Sequence, residues 1–218
     1  MGDQLLTRDR MNKIKYPRIL HFIGSPGVSN DDKMHTSHDQ WEGMQVVVTE
    51  KCDGECTTWA RDYIHARSLD YNPHPSRTFV KSLWANIAHD IPENFRVVGE
   101  NVTAMHSIEY HDLPSYFLVF NVWDGNRCLS WDETVQYTSL LWLHTVPVLY
   151  RGLWKAELVQ ELAASIDTDK QEGFVLRPAG EFYLKDFSKL VGKWVRASHV
   201  KTPSHWMREE IKLNGLRK

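Results

Sequence analysis

The residues best equipped for chemistry lie in Thr49-Glu50-Lys51-Cys52-Asp53-Gly54-Glu55, where a lysine stands directly after a hydrophobic strand and before a turn containing Asp-Gly. A lysine amine is nucleophilic only when neutral, so Lys51 needs desolvation or nearby positive charge to lower its pKa. Lys193, within Lys189-Leu-Val-Gly-Lys-Trp-Val-Arg196, is the candidate source of that charge. Other groups follow in order. Arg67 ends a strand, Glu100 ends another, Phe120 sits within Tyr116-Phe-Leu-Val-Phe-Asn-Val-Trp-Asp124, and Glu172 opens Glu172-Gly173-Phe174-Val175. An arginine fork and a point-charge lysine suit phosphate oxygens. Gly54 is expected to permit a turn that other residues resist, and Asp53 to cap that turn through its carboxylate, so both read as architectural. The histidines at 35 and 38, 106 and 111, and 199 and 205 have no zinc-like spacing and are left out of the site.

These residues must be held by elements that the hydrophobic pattern outlines. Buried or alternating runs predict strands at Gln45–Thr49, Cys56–Ala60, Tyr63–Ala66, Arg96–Gly99, Tyr116–Trp123, Gly173–Arg177, Phe182–Leu184 and Leu190–Val195. The Phe79, Leu83, Ile87, Ile91 spacing predicts a helix stopped by Pro92. Ser130 with Glu133 forms a capping box opening a helix to about Leu143, and another helix is expected from about Lys155 to Ile166. Thr202 and Pro203 mark the start of a terminal helix to about Leu213. Short strands interspersed irregularly with helices predict an α+β domain built on antiparallel sheets with flanking helices.

Composition sets the outer limits. The chain has 218 residues, 42% hydrophobic and 25% charged, which excludes a disordered chain and leaves room for one full-sized domain. We divide it into a loop-rich, partly basic leader (1–40), the main domain (41–200) and a basic C-terminal helix (201–218). No apolar stretch is long enough for a membrane span and the first residues lack a signal-peptide core, so a cytoplasmic location without membrane contact is expected. Three cysteines with no CxxC pair point to reduced thiols. From residue 185 onward nine Lys or Arg face three acids, a cluster that could meet a polyanion. The nine tryptophans are assigned mainly to core packing.

Taken in order, the chemical segments resemble the covalent nucleotidyltransferases, the superfamily of polynucleotide ligases and mRNA capping enzymes. They look most like the ATP-dependent RNA ligases of phages and bacteria. Lys15-Tyr-Pro-Arg-Ile, His65-Ala-Arg-Ser-Leu-Asp, Gly99-Glu-Asn-Val, His106-Ser-Ile-Glu-Tyr, Val148-Leu-Tyr-Arg-Gly and Lys193-Trp-Val-Arg-Ala-Ser-His-Val carry the likeness, which runs from about Lys15 to about Trp206. The resemblance implies a nucleotidyltransferase (adenylyltransferase) domain in which Lys51 takes AMP from ATP as a covalent lysyl-AMP. Arg67 and Lys193 would hold phosphate oxygens, Glu172 a Mg²⁺ (or Mn²⁺) ion, Glu100 a sugar hydroxyl and Glu50 the adenine edge, with Phe120 stacked on the base. Many ligases carry two basic residues in the last motif, separated by one. Here Val191 stands at the first, so Lys189 or Arg196 is expected to substitute. The implied partner is nucleic acid, as RNA ends or a nicked duplex, with 5′-phosphate and 3′-hydroxyl joined; no obligate protein partner is inferable. Some ligases and capping enzymes carry a separate OB-fold domain; with 18 residues after Val200, none is expected here. A minimal DNA ligase, a guanylyltransferase and a non-catalytic nucleic-acid-binding module are the rival readings.

Overall fold

Three consecutive valines, Val46 to Val48, are fully buried because both faces of their strand are covered. The computed structural model describes residues 13–70, 72–197 and 211–218. In chain order the strands are β1 (Leu20–His21), β2 (Gln45–Glu50), β3 (Glu55–Trp59), β4 (Ile64–Ala66), β5 (Phe95–Asn101), β6 (Phe117–Asp124), β7 (Arg127–Cys128), β8 (His144–Thr145), β9 (Val148–Leu153), β10 (Gly173–Pro178), β11 (Phe182–Tyr183) and β12 (Gly192–Val195). The helices are α1 (Thr78–Ile87), α2 (Trp131–Leu140), α3 (Leu158–Ser165) and the single turn α4 (Phe187–Leu190).

Two sheets face each other. The first has the order β1-β12-β10-β2-β9; the second runs β11-β7-β6-β5-β3-β4, with β8 added beside β6. Pairing is antiparallel except for β1 with β12 and β6 with β8. Period-two alternation sorts the side chains. Val46, Val48, Phe174 and Leu176 point outward from the first sheet onto Trp154, Leu158 and Val159 beside and within α3. Val47 and Val175 point inward to meet Val98, Leu118, Phe120 and Trp123 of the second sheet. The outer face of that second sheet packs Val97, Val119 and Val122 against Val80 and Leu83 of α1. The result is an α+β sandwich with helices outside and a shared apolar layer between the sheets.

Several expected boundaries shift for physical reasons. The helix expected through Ile91 ends at Ile87, and a 3₁₀ turn (Ala88–Asp90) swings fully buried Ile91 into the core before Pro92. Ser130 caps α2 as expected, with both bonds of the capping box present, but the helix stops at Leu140 and the chain reverses through Trp142 at φ +57°. The third helix begins at Leu158 rather than Lys155. The strand expected from Leu190 begins at Gly192, because Phe187–Leu190 closes a helical turn that buries Phe187. Four strands, β1, β7, β8 and β9, were not anticipated.

Segments near both ends of the chain pack onto the sheets and loops between them. Within residues 13–40, β1 pairs with β12, and Tyr16 and Phe22 enter the core. Most of the expected terminal helix lies outside the described residues, and its last part, Ile211 to Leu213, is not helical. Leu213 instead bridges Ala104 and Leu216 bridges Leu113, so this segment is stitched onto the 101–116 region. Two of its cations are already paired there, Lys212 with Glu109 and Arg217 with Asp112. The three cysteines are free thiols, and no helix among the described residues is long and apolar enough to cross a membrane.

Buried Asn214 anchors this stitching. Its amide donates to the Val102 and Ala104 carbonyls at 2.9 and 3.2 Å and accepts the Tyr110 N–H at 2.9 Å. Replacing Asn214 with Ala strands three backbone groups without partners, so Asn214→Ala should lower stability by about 2–4 kcal/mol in urea unfolding. A change below experimental error would show that the segment contributes no stability.

Candidate active site

The Lys51–Gly54 turn is the link by which β2 of one sheet becomes β3 of the other, so Lys51 emerges at the junction between them. The turn is pinned from outside. Asp53 accepts hydrogen bonds from the backbone N–H and hydroxyl of Ser107 and the N–H of Ile108 at 2.6, 2.8 and 2.9 Å, while its own N–H donates to the Tyr110 hydroxyl at 2.9 Å. Its carboxylate therefore holds a neighbouring loop instead of capping its own turn. Gly54 is required by close approach rather than by a left-handed φ: a Cβ there would lie 2.3 Å from the Asn101 carbonyl oxygen.

A cavity of about 270 Å³ opens between the sheets beside this turn. Lys51, Glu50, Arg67, Glu100, Phe120 and Lys193 all line it, so the structure brings together six candidates spread over more than 140 positions of sequence. Glu172 joins them through Lys51, whose ammonium donates to Glu172 Oε2 at 2.5 Å. Next to Glu172, Gly173 has φ +155° and passes 2.0 Å, measured from a would-be Cβ, from the Trp194 carbonyl oxygen. Only glycine fits there. Its carbonyl accepts the Lys51 backbone N–H at 2.9 Å, which ties the nucleophile candidate to the strand that carries the acid.

Two candidates lie elsewhere. Lys189 is exposed on α4 and does not line the cavity. Arg196 is buried behind it, donating to the Ser107 hydroxyl at 3.0 Å while its N–H bonds the Glu172 carbonyl. Neither supplies the second basic group expected of the last motif. Arg196 instead braces the backbone from which Glu172 projects.

The electrostatics revise the expectation for Lys51. Burial lowers its pKa, but Glu172, Glu100 and Asp53 more than offset this and hold Lys51 as an ammonium, above its ordinary value. Lys193 does not prevent this, because it has an acid of its own: Asp32 lies 3.7 Å away. Burial is again the main influence on Lys193 and lowers its pKa. Asp32 is pushed up by burial but pulled down further by hydrogen bonds from Ser29 and by Lys193 and His21, ending at about 2. Burial raises the Glu50 carboxyl, partly offset by a hydrogen bond from Gln171 at 3.2 Å.

Sequence reasoning did not assign Tyr16, Asp32 or Arg177 to the site, yet all three line the cavity. Tyr16 packs edge-on against Phe120 and donates its hydroxyl to Asn121 at 2.7 Å, and its carbonyl accepts from Arg67 Nε at 3.3 Å. The signal for Tyr16 was present in the Lys15-Tyr-Pro-Arg-Ile segment. For Asp32 and Arg177 only the tertiary arrangement reveals the contact. Phe120 enters the cavity through a β-bulge: Val98 pairs with Asn121 and Gly99 with Val119, which leaves Phe120 as the extra residue. Consecutive Phe120 and Asn121 thus both meet the inter-sheet layer.

These features, a strand-end lysine at the junction of two sheets and a cleft lined by phosphate-type cations and carboxylates, define a nucleotidyltransferase domain of the ligase type. A family model described as RNA ligase matches residues 44–195, and the chain belongs to the RNA ligase family. No curated protein sequence matches it. Among solved structures it is similar to the Naegleria gruberi RNA ligase with PPi, with a TM-score of 0.54 and 20% identity over 72% of this chain and 51% of that one. It is also similar to an archaeal ATP-dependent RNA ligase, with a TM-score of 0.58 and 16% identity over 84% of this chain and 48% of that one. A candidate ATP-dependent DNA ligase from Aquifex aeolicus gives a TM-score of 0.57 and 17% identity over 86% and 50%. The chain spans about half the length of these structures.

Glu100 supplies a measurable signature of the site. Burial raises its pKa, Lys51 opposes this, and Glu172, Asp53 and Glu55 add to the rise, leaving it at about 8. Between the ordinary 4.5 and about 8 the folded state keeps a proton that the unfolded chain releases, so this group makes stability fall as pH rises. Glu100→Gln removes the effect. The Tm of the variant should gain on the wild type steadily from pH 5 to 8; a constant gap across that range would refute the assignment.

Proposed function

We propose that this protein is an ATP-dependent RNA ligase of the phage and bacterial kind, in which Lys51 is the site of adenylylation. The observation that carries the reading is the contact of Glu172 with Lys51, which lines a cleft together with Arg67, Glu100, Phe120 and Lys193. In the first step the Lys51 Nζ–P bond forms, the bond between the α-phosphorus and its bridging oxygen breaks, and pyrophosphate leaves. A 5′-phosphate oxygen then takes the AMP from Lys51, and a 3′-hydroxyl finally attacks the activated 5′-phosphorus and releases AMP. The partners are RNA ends or a nicked duplex. The expected cytoplasmic location belongs to the same proposal.

Each group has a task that follows from its chemistry. Lys51 becomes nucleophilic only when it leaves its pair with Glu172 or passes a proton to Glu172 Oε2. Arg67 and Lys193 bind phosphate oxygens, Lys193 exchanging Asp32 for the triphosphate. Phe120 stacks on the base, Glu50 reads its edge and Glu100 meets the ribose. The nucleotide and metal are supported by Naegleria gruberi RNA ligase structures, one with PPi and another, a variant at a TM-score of 0.51, with ATP and Mn.

The donor set fits a hard divalent cation. Glu172 and Glu100 offer oxygen ligands beside Lys51, and burial keeps the neighbouring Cys52 and Cys56 thiols protonated, which suits Mg²⁺ or Mn²⁺. The described residues contain no group of three or more His, Cys, Asp or Glu able to hold an ion by themselves, so phosphate oxygens and water would complete the shell around Glu172. Such an ion would neutralise charge on the transferring phosphate.

The test is to incubate the protein with α-labelled ATP and Mg²⁺ and to look for label on the denatured chain. Label should appear on wild type and be absent from Lys51→Ala; label persisting in the variant would overturn the assignment. A panel of nicked duplexes, broken tRNA loops and single strands, with RNA or DNA on either side of the junction, then reads the joining steps.

A further inference from the structure

Arg177 is the most heavily buried cation in the wall of the cavity, 3% exposed, and no carboxylate among the described residues pairs with it. Among the described residues its contacts are few: Nη1 donates to the Thr49 hydroxyl at 3.1 Å, and the guanidinium lies over the Trp131 ring at 5.7 Å. Nε is buried with no hydrogen-bond partner among the described residues. The two ionisable groups that oppose its charge are Tyr16 and Cys128, and burial keeps both protonated, Cys128 with its pKa pushed up to about 12. Asn121, close to both, spends its amide on the Tyr16 hydroxyl and the Cys128 sulfur instead. A guanidinium carries five donors and no acceptor, so burial with one hydrogen bond leaves it under-satisfied.

Its place along β10 indicates what the missing acceptor is. Glu172, paired with Lys51, stands just before this strand, and Val175 and Arg177 follow on the face that lines the cavity. Arg177 lies about 6.6 Å beyond Val175, on the side away from Lys51. A nucleotide whose α-phosphate approaches Lys51 and whose base lies between Val175 and Phe120 would turn the far edge of that base toward Arg177. Purines carry acceptors on their edges: ring nitrogens in adenine, and O6 with N7 in guanine.

Resting on the reading of this cleft as a nucleotide site, we infer that Arg177 is a base-reading residue that donates to an acceptor edge of the bound purine. The unpaired guanidinium is stability forgone until the ligand arrives. A site built to donate such a bond discriminates against an analogue that lacks the acceptor.

The inference can be tested by binding alone, without chemistry. Calorimetric titration of the full chain with AMP, GMP and the 1-deaza, 3-deaza and 7-deaza analogues of AMP is compared between wild type and Arg177→Met, alongside thermal melting. Wild type should bind one deaza analogue about tenfold more weakly than AMP, and Arg177→Met should bind AMP about tenfold more weakly while no longer distinguishing that analogue. GMP binding more tightly than AMP, with the preference lost in Arg177→Met, would support the same contact with guanine as its source. The variant should melt at or above the wild-type temperature, because it removes an unsatisfied buried charge. The inference is overturned if every analogue has the same affinity ratio in both proteins, if no purine nucleotide binds, or if Arg177→Met melts lower with AMP affinity unchanged. Analogue discrimination without any label from ATP would sink the ligase reading and leave this one standing.

Discussion

The hydrogen-bonded ion pair between Lys51 and Glu172 governs much of what surrounds it. A buried ammonium needs an acid close by, and Glu172 provides it at 2.5 Å. The same contact keeps the amine protonated, which is the wrong state for nucleophilic attack. Activation therefore has to come from a change in the pair: a ligand or ion that draws the carboxylate away also frees the lysine. Lys193 and Asp32 form a parallel arrangement at 3.7 Å, so both lysines of the resting cleft are held by acids.

Holding that pair in place requires that two sheets sharing one turn keep a constant separation. The apolar layer between them supplies most of the cohesion through Val47, Val98, Leu118, Trp123 and Val175. Asp53 clamps the turn to the Ser107–Ile108 backbone, and Arg196 ties that loop to the Glu172 backbone. The 211–217 segment closes the far side through Asn214. The active-site turn is thus braced by residues far from it in sequence, none of which carries a reactive group into the cleft.

Charge in the cleft is unevenly distributed, and the unevenness is informative. At the Lys51 end burial, with neighbouring carboxylates adding to it, raises Glu100 to about 8, an arrangement suited to a cation and phosphates together. The opposite end contains a buried guanidinium with no anion among the described residues. A pocket that is acid-rich at one end and donor-rich at the other is polarised along its length, in the sense that an elongated ligand with a charged tail and an acceptor-bearing ring can match.

The residue types along the chain determined a good deal. A lysine after a valine-rich strand, an arginine and acids at strand ends and a phenylalanine within a hydrophobic run announced the cleft, because each must sit where an element stops or faces inward. Strand and helix identities followed from period and capping, as at Val46–Val48 and Ser130. Only the tertiary structure decided what depends on contacts between distant segments. It buried Tyr16 and Phe22, from the segment read as a loop-rich leader, against strands that follow much later. It aimed Phe120 into the cleft by a bulge, and removed Lys189 and Arg196 from the cavity wall. It also reversed the expected ionisation of Lys51, because a pKa is set by the sum of burial and neighbouring charges, and the carboxylates that outweigh Lys193 come together only when the two sheets close on each other.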